Sequence, residues 1–96
     1  MAEFRLSPKA QRDIEDIFEY TVKRWSLAQA LHYTDLLEAA CASLADAPHR
    51  SQDCAAIRPG YRRRTVAQHV IYFKQTLYGI AIIRILHQHM DQTRHL

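Results

Sequence analysis

At 96 residues, 48% of them hydrophobic and 24% charged, the chain has room for one domain, expected to span residues 1–96. Doubly wound nucleotide folds and eightfold β/α barrels need far more chain, and the apolar fraction excludes wholesale disorder. The net charge of +3 hides a split: residues 1–48 carry five Lys/Arg against eight Asp/Glu (−3), and residues 49–96 carry eight against two (+6). An acidic half and a basic half point to two surfaces with different partners.

Glu3 to Leu6 reads as a short strand closed by Ser7-Pro8. Ser7 suits an N-cap, and Pro8 suits the first helical position, where its missing N–H would be unpaired anyway. A first helix runs to about Trp25, with Ile14, Ile17, Phe18, Thr21, Val22 and Trp25 at helical spacing on one face. Ser26-Leu27-Ala28-Gln29 is a capping box, so a second helix starts almost without a loop and runs to about Ala47, where Pro48 stops it. Its main apolar stripe holds Ala30, Tyr33, Thr34, Leu37, Ala40, Cys41 and Leu44, with Leu31 and Leu36 on opposite flanks. The apolar arc of roughly 220° exceeds what a one-sided surface helix needs. Either this helix packs on the first helix and a sheet together, or one flank stays open for a partner.

His49 to Ala56 reads as polar loop. Beyond Arg58-Pro59-Gly60 the period changes from helical to extended: Tyr61–Val66, His69–Gln75 and Ile80–His87 are β-branched and aromatic-rich strands, the last two joined by Leu77-Tyr78-Gly79. Ile82, Ile83 and Ile85 put apolar side chains on both faces, the pattern of a central strand. Residues 91–96 form a tail with room for one helical turn. The order β-α-α-β-β-β describes an α+β fold, a helical hairpin packed on a small, largely antiparallel sheet. No apolar run approaches the roughly 18 residues of a membrane span, and the N-terminus lacks a signal-peptide core, so a cytoplasmic address without membrane contact is expected.

The residues exclude several chemistries. Two glycines cannot build a phosphate-cradling loop, and no G-x-S-x-G elbow is present, so neither a nucleotide cofactor nor a catalytic residue is assigned. Cys41 and Cys54 fit no CxxC pattern and read as structural free thiols. His87, His89, Asp91 and His95 form the one metal-like cluster, short of a firm third and fourth ligand, so no metal is expected. The strongest signal is a basic sheet with interleaved aromatics: Arg58, Tyr61, Arg62, Arg63, Arg64, His69, Tyr72, Lys74, Arg84 and His87. Arginine forks match phosphate oxygens and aromatic faces stack on bases, so nucleic-acid or nucleoprotein contact is one reading. Charge guarding an exposed edge strand against aggregation is the other. In the strand, Arg62 and Arg64 point one way and Arg63 the other.

Leu6-Ser7-Pro8-x-Ala10, Asp13-Ile14-x-x-Ile17 with Tyr20 and Trp25, Arg58-Pro59-Gly60-Tyr61-Arg62, His69-Val70-Ile71-Tyr72-Phe73 and Arg84-Ile85-Leu86-His87-Gln88-x-Met90-Asp91 together resemble ParE toxins of the RelE/ParE superfamily. The resemblance runs from Phe4 to Leu96. It implies the toxin of a type II toxin–antitoxin pair, a non-enzymatic inhibitor that stalls DNA gyrase on cleaved DNA. It also implies a ParD-like antitoxin whose C-terminal tail wraps the toxin, and DNA contact only through gyrase or through the antitoxin at its operator. Target contact is expected at Arg62, Arg63, Arg64, Arg84, His87 and Met90, and antitoxin contact at the apolar flank of Phe18, Val22, Leu31 and Leu36. The sister activity, ribosome-dependent mRNA cleavage by RelE-like toxins, would draw on Arg84 and His87, but no Tyr follows Tyr78. An inactive toxin relic that only binds antitoxin is the third reading.

Overall fold

The computed structural model describes residues 2–96. Strand β1 (Glu3–Leu6) leads into helices α1 (Pro8–Arg24) and α2 (Leu27–Asp46). After a 3-10 turn at Pro48–Arg50 come strands β2 (Gln52–Asp53), β3 (Tyr61–Val66), β4 (His69–Gln75) and β5 (Gly79–His87), and a last helical turn α3 (Gln92–His95). The sheet order is β1-β5-β4-β3-β2, with β1 parallel to β5 and every other pair antiparallel.

The helix starts form as their caps dictate. The Ser7 hydroxyl accepts from the Ala10 amide at 3.0 Å, and the Ser26 hydroxyl accepts from the Gln29 amide at 3.0 Å. Ser7 also donates to the Ile83 carbonyl at 2.7 Å, so one side chain both caps α1 and ties it to β5. Ala10, Leu37, Cys41 and Leu44 from the helices meet Ile71, Phe73, Ile80, Ile82 and Ile85 from the sheet in the main core. A second, smaller cluster of Cys54, Val70, Tyr72 and Leu86 lies on the opposite face, covered by Ile57, Tyr61 and Leu96. Burial pushes the Cys41 thiol up to about 12 and the Cys54 thiol upward, consistent with inert packing residues.

Three details depart from the sequence reading. The expected loop over residues 49–56 contains the 3-10 turn and β2, whose polar pair Gln52–Asp53 carries no strand-like hydrophobic pattern. Because β2 pairs with Arg62 and Arg63, only the end of β3 past Arg63 is a free edge, so edge protection can apply to Arg64 but not to those two. Strand β5 is interior, next to the middle strand β4, but its isoleucines do not simply alternate. Tyr72 pairs with Arg84 and Phe73 with Ile82, so Ile83 is bulged out of register. The extra residue shifts the alternation and turns both Ile82 and Ile85 into the main core, three positions apart.

Strand β1 covers β5 only as far as Ile82. Past that point α1 takes over the edge: the Asp13 carboxylate accepts from the Ile85 amide at 2.9 Å.

Candidate functional site

The bulge at Ile83 puts Arg84 on the same side of the sheet as its partner Tyr72, away from the helical hairpin. Strand alternation places Tyr61, Arg63 and Lys74 there too, since Tyr61 pairs with Lys74 and Arg63 with Tyr72. The C-terminal segment lies across this basic, aromatic face. Gln92 Oε1 accepts from Arg63 at 2.8 Å and from the Tyr72 hydroxyl at 2.7 Å. Arg58 donates twice to the Leu96 main-chain oxygen, at 3.0 and 2.7 Å, and Arg84 once to that of His95 at 3.2 Å.

Arg84 has a second, stronger commitment. Its guanidinium grips Asp13 through two bonds of 2.8 and 2.9 Å, with side-chain exposures of only 16% and 12%. This forked pair, led by its hydrogen bonds, raises the Arg84 pKa still further, so Arg84 is a permanently charged clasp between α1 and β5. Among the described residues the other ion pairs are Arg5–Glu3 and Lys23–Glu19, both exposed. The positive charges of Arg63 and Lys74 therefore stand uncompensated by any ion pair.

The six expected target residues do not form one patch. Arg63 and Arg84 share the face under the C-terminal segment. Arg62 points to the helical side, where its donors bind the Pro48 carbonyl and the hydroxyl and carbonyl of Ser51. Arg62 thus staples β3 to the chain leaving α2, a role its place in an Arg-Arg-Arg run does not announce. Arg64, paired with Ile71 and so on the helical side of the sheet, is exposed with its side chain free of hydrogen bonds among the described residues, and Met90 stands in the turn after β5, 41% exposed. His87 also lies on the helical side, its ring 5.4 Å from that of His69. Arg84 and His87 consequently address opposite faces and cannot act on one phosphate.

The helical side carries a groove of about 460 Å³ between the α1–α2 hairpin and the β3–β4 turn, with Tyr20, Trp25, Tyr33, His69 and His87 in its wall. At its base the Gln68 amide donates to the Tyr33 hydroxyl at 3.2 Å, and Tyr33 is 2.6 Å from His69 Nδ1. With His69 neutral and its proton on Nε2, the hydroxyl donates to Nδ1 while accepting from Gln68. Burial, reinforced by His87 and only partly opposed by Asp13, pushes His69 down to about 4. Burial likewise raises the Tyr33 pKa.

A histidine held below its unfolded value of 6.5 makes the unfolded chain the better proton acceptor, so its contribution is complete above pH 6.5 and fades as pH falls towards 4. Between pH 7.5 and 4.5 this one group should remove roughly 2–3 kcal/mol of stability. Urea unfolding of the wild-type chain and of His69→Gln at both pH values checks this. The variant should lose less stability on acidification by about that amount, and equal losses would show that His69 is not the titrating group.

The expected antitoxin residues are likewise dispersed. Phe18 and Val22 are half-buried on α1, while Leu31 (50%) and Leu36 (42%) are exposed on α2. At 100° per residue Leu31 and Leu36 stand about 140° apart, so a partner touching both must wrap the helix. Trp25 (71%) and Leu27 (57%) are more exposed than either leucine. The spacing placed Trp25 on the apolar face of the first helix, but it caps α1 at the tip of the hairpin and stands exposed there beside Leu27, where the helical period no longer applies. Among the described residues no group of three or more His, Cys, Asp or Glu is placed to hold a metal ion, although the His87 and His89 rings lie 5.0 Å apart. Among the described residues no helix is long and apolar enough to cross a membrane.

Comparison with known proteins gives this geometry its context. Residues 4–92 match a family model described as the ParE toxin of the type II toxin–antitoxin system parDE. Toxin ParE1 of Caulobacter vibrioides is 36% identical over 96 residues, covering 100% of this chain and 99% of its own length. Toxin ParE1 of Mycobacterium tuberculosis is 38% identical over 94 residues, covering 97% and 96%. A solved chain of the chromosomal ParDE system from P. aeruginosa shares the fold at a TM-score of 0.78, over 91% of this chain and 96% of that one, at 20% identity.

Proposed function

Because the chain belongs to the ParE toxin family of type II toxin–antitoxin systems, we propose that it arrests growth by trapping DNA gyrase on cleaved DNA, and that a ParD-like antitoxin neutralises it. The observation that carries this reading is family membership along almost the whole chain. The basic, aromatic face suits a protein–DNA target, because arginine forks match phosphate oxygens. The toxin acts there as a binder and not as an enzyme. General-base cleavage of RNA would need a base and a charge-stabilising cation at one phosphate. Here His87 and Arg84 face apart, and Arg84 is committed to Asp13, which weighs against the RelE-like alternative. The antitoxin tail wraps the helical hairpin, crossing Phe18, Val22, Leu31 and Leu36 together with the Trp25–Leu27 tip.

Regulated expression in a bacterial host tests the reading. Growth arrest with induction of the DNA-damage response, relieved by the cognate antitoxin, is the expected result. Arrest with mRNA cleaved at ribosomes and no DNA breaks would replace it with the endonuclease reading. Lys74 separates function from folding, because it stands exposed on the basic face and its side chain has no partner among the described residues. Lys74→Glu should change stability by less than about 0.5 kcal/mol and weaken growth arrest about tenfold. Undiminished arrest by this variant at equal protein level would remove Lys74 from the target surface.

A further inference from the structure

The C-terminal residues 91–96 are held less by packing of their own than by donors that belong to the basic face. Segment α3 is four residues long and none of them is buried. Its start is capped locally, by Asp91 accepting from the Thr93 amide at 3.0 Å. Apart from the bonds within its own turn, what fixes it comes from outside the segment: Arg63 and Tyr72 on the Gln92 amide oxygen, Arg84 on the His95 carbonyl, Arg58 on the Leu96 main-chain oxygen, and the Leu96 side chain against the second cluster. A single side-chain oxygen thus satisfies a guanidinium and a phenol at once. Arg63 has only neutral amide oxygens, those of Gln52 and Gln92, whereas its planar fork is matched to an anionic oxygen pair.

We propose that residues 91–96 form a strap that occupies this face in the free chain, its oxygens standing where phosphodiester oxygens of DNA bind once the strap lifts. The proposal rests on the reading of the basic face as the target surface and adds its regulation: the DNA held by the target displaces the strap. Arg58 and Arg63 are the phosphate-binding pair and Lys74 adds charge alongside, while Arg84 stays on Asp13 and positions the sheet edge. Tyr61, half-buried at the margin of the second cluster, is the aromatic face beside the cations, while Tyr72 is buried beneath. A short helix with no buried residue opens readily, and affinity for DNA falls in proportion to the fraction of chains in which it is open.

Binding of a fluorescein-labelled 20-nucleotide single strand by the purified chain, with no gyrase present, tests the proposal separately from gyrase inhibition. Gln92→Ala/Leu96→Ser, which removes the shared acceptor and the apolar anchor, should bind the strand at least about fivefold tighter than wild type. Adding Arg58→Ala and Arg63→Ala should return affinity to wild type or below. Faster hydrogen exchange at the Arg94 and Leu96 amides, which bond the Asp91 and Gln92 carbonyls, reports that the strap has lifted. Unchanged DNA affinity in a variant whose strap amides exchange faster would overturn the proposal, as would tightening that survives loss of both arginines. Should the double variant fail to fold, Gln92→Ala alone carries the same test, with a smaller gain expected and the same two contrary outcomes.

Discussion

Gly79→Ala is expected to destabilise the protein by about 5 kcal/mol. Gly79 has φ +146°, in a region open to glycine alone, and it opens β5 opposite Glu3. A Cβ built there would collide with the Glu3 carbonyl oxygen and come within 2.8 Å of the Glu3 nitrogen. Both are backbone atoms, so no rotamer change relieves the clash. The first strand would have to move off β5, taking Phe4 and Leu6 away from the main core. Gly60, also at positive φ (+82°), has nothing within 4 Å of its Cβ position and lacks this second penalty. Urea unfolding of the two alanine variants should rank them far apart. A loss below about 1.5 kcal/mol for Gly79→Ala would mean that β1 does not pair this closely.

Asp13→Ala should cost about 4 kcal/mol, because it leaves the Arg84 guanidinium largely buried without its counter-ion and the Ile85 amide without an acceptor. The net worth of the intact pair is smaller, since desolvating both charges offsets much of their attraction. A double-mutant cycle distinguishes the two quantities: Asp13→Ala/Arg84→Met should be more stable than Asp13→Ala alone. If the two substitutions simply add, the clasp between α1 and the sheet edge contributes no coupling. Loss of this clasp should also loosen the His95 end of the strap, since Arg84 donates to both.

Local signals in the sequence carried much of the architecture. Ser7-Pro8 and Ser26 mark helix starts that the structure caps as expected, and the three long strands lie within a residue of their alternating runs. What stayed hidden are features made by residues far apart in the chain. Asp13 and Arg84 are 71 positions apart, and nothing local to either says that one will hold the other. The bulge at Ile83 depends on the register of β4, so a strand read alone assigns Ile85 to the wrong face. The Arg62–Arg64 run shows the limit most plainly. Strand alternation separates Arg63 from its neighbours correctly, but Arg62 is absorbed by main-chain oxygens near Ser51, Arg63 by Gln52 and Gln92, and only Arg64 stays free. Composition identifies a basic surface, and only packing identifies which of its charges are available.

Incubating the purified, antitoxin-free chain with DNA gyrase and relaxed plasmid, with supercoiling and cleaved DNA read on the same gel, decides whether gyrase is the target. Gyrase poisoning predicts lost supercoiling and accumulating cleaved DNA, both reversed by a ParD-like antitoxin. Unimpaired supercoiling by gyrase in the presence of folded protein would contradict it.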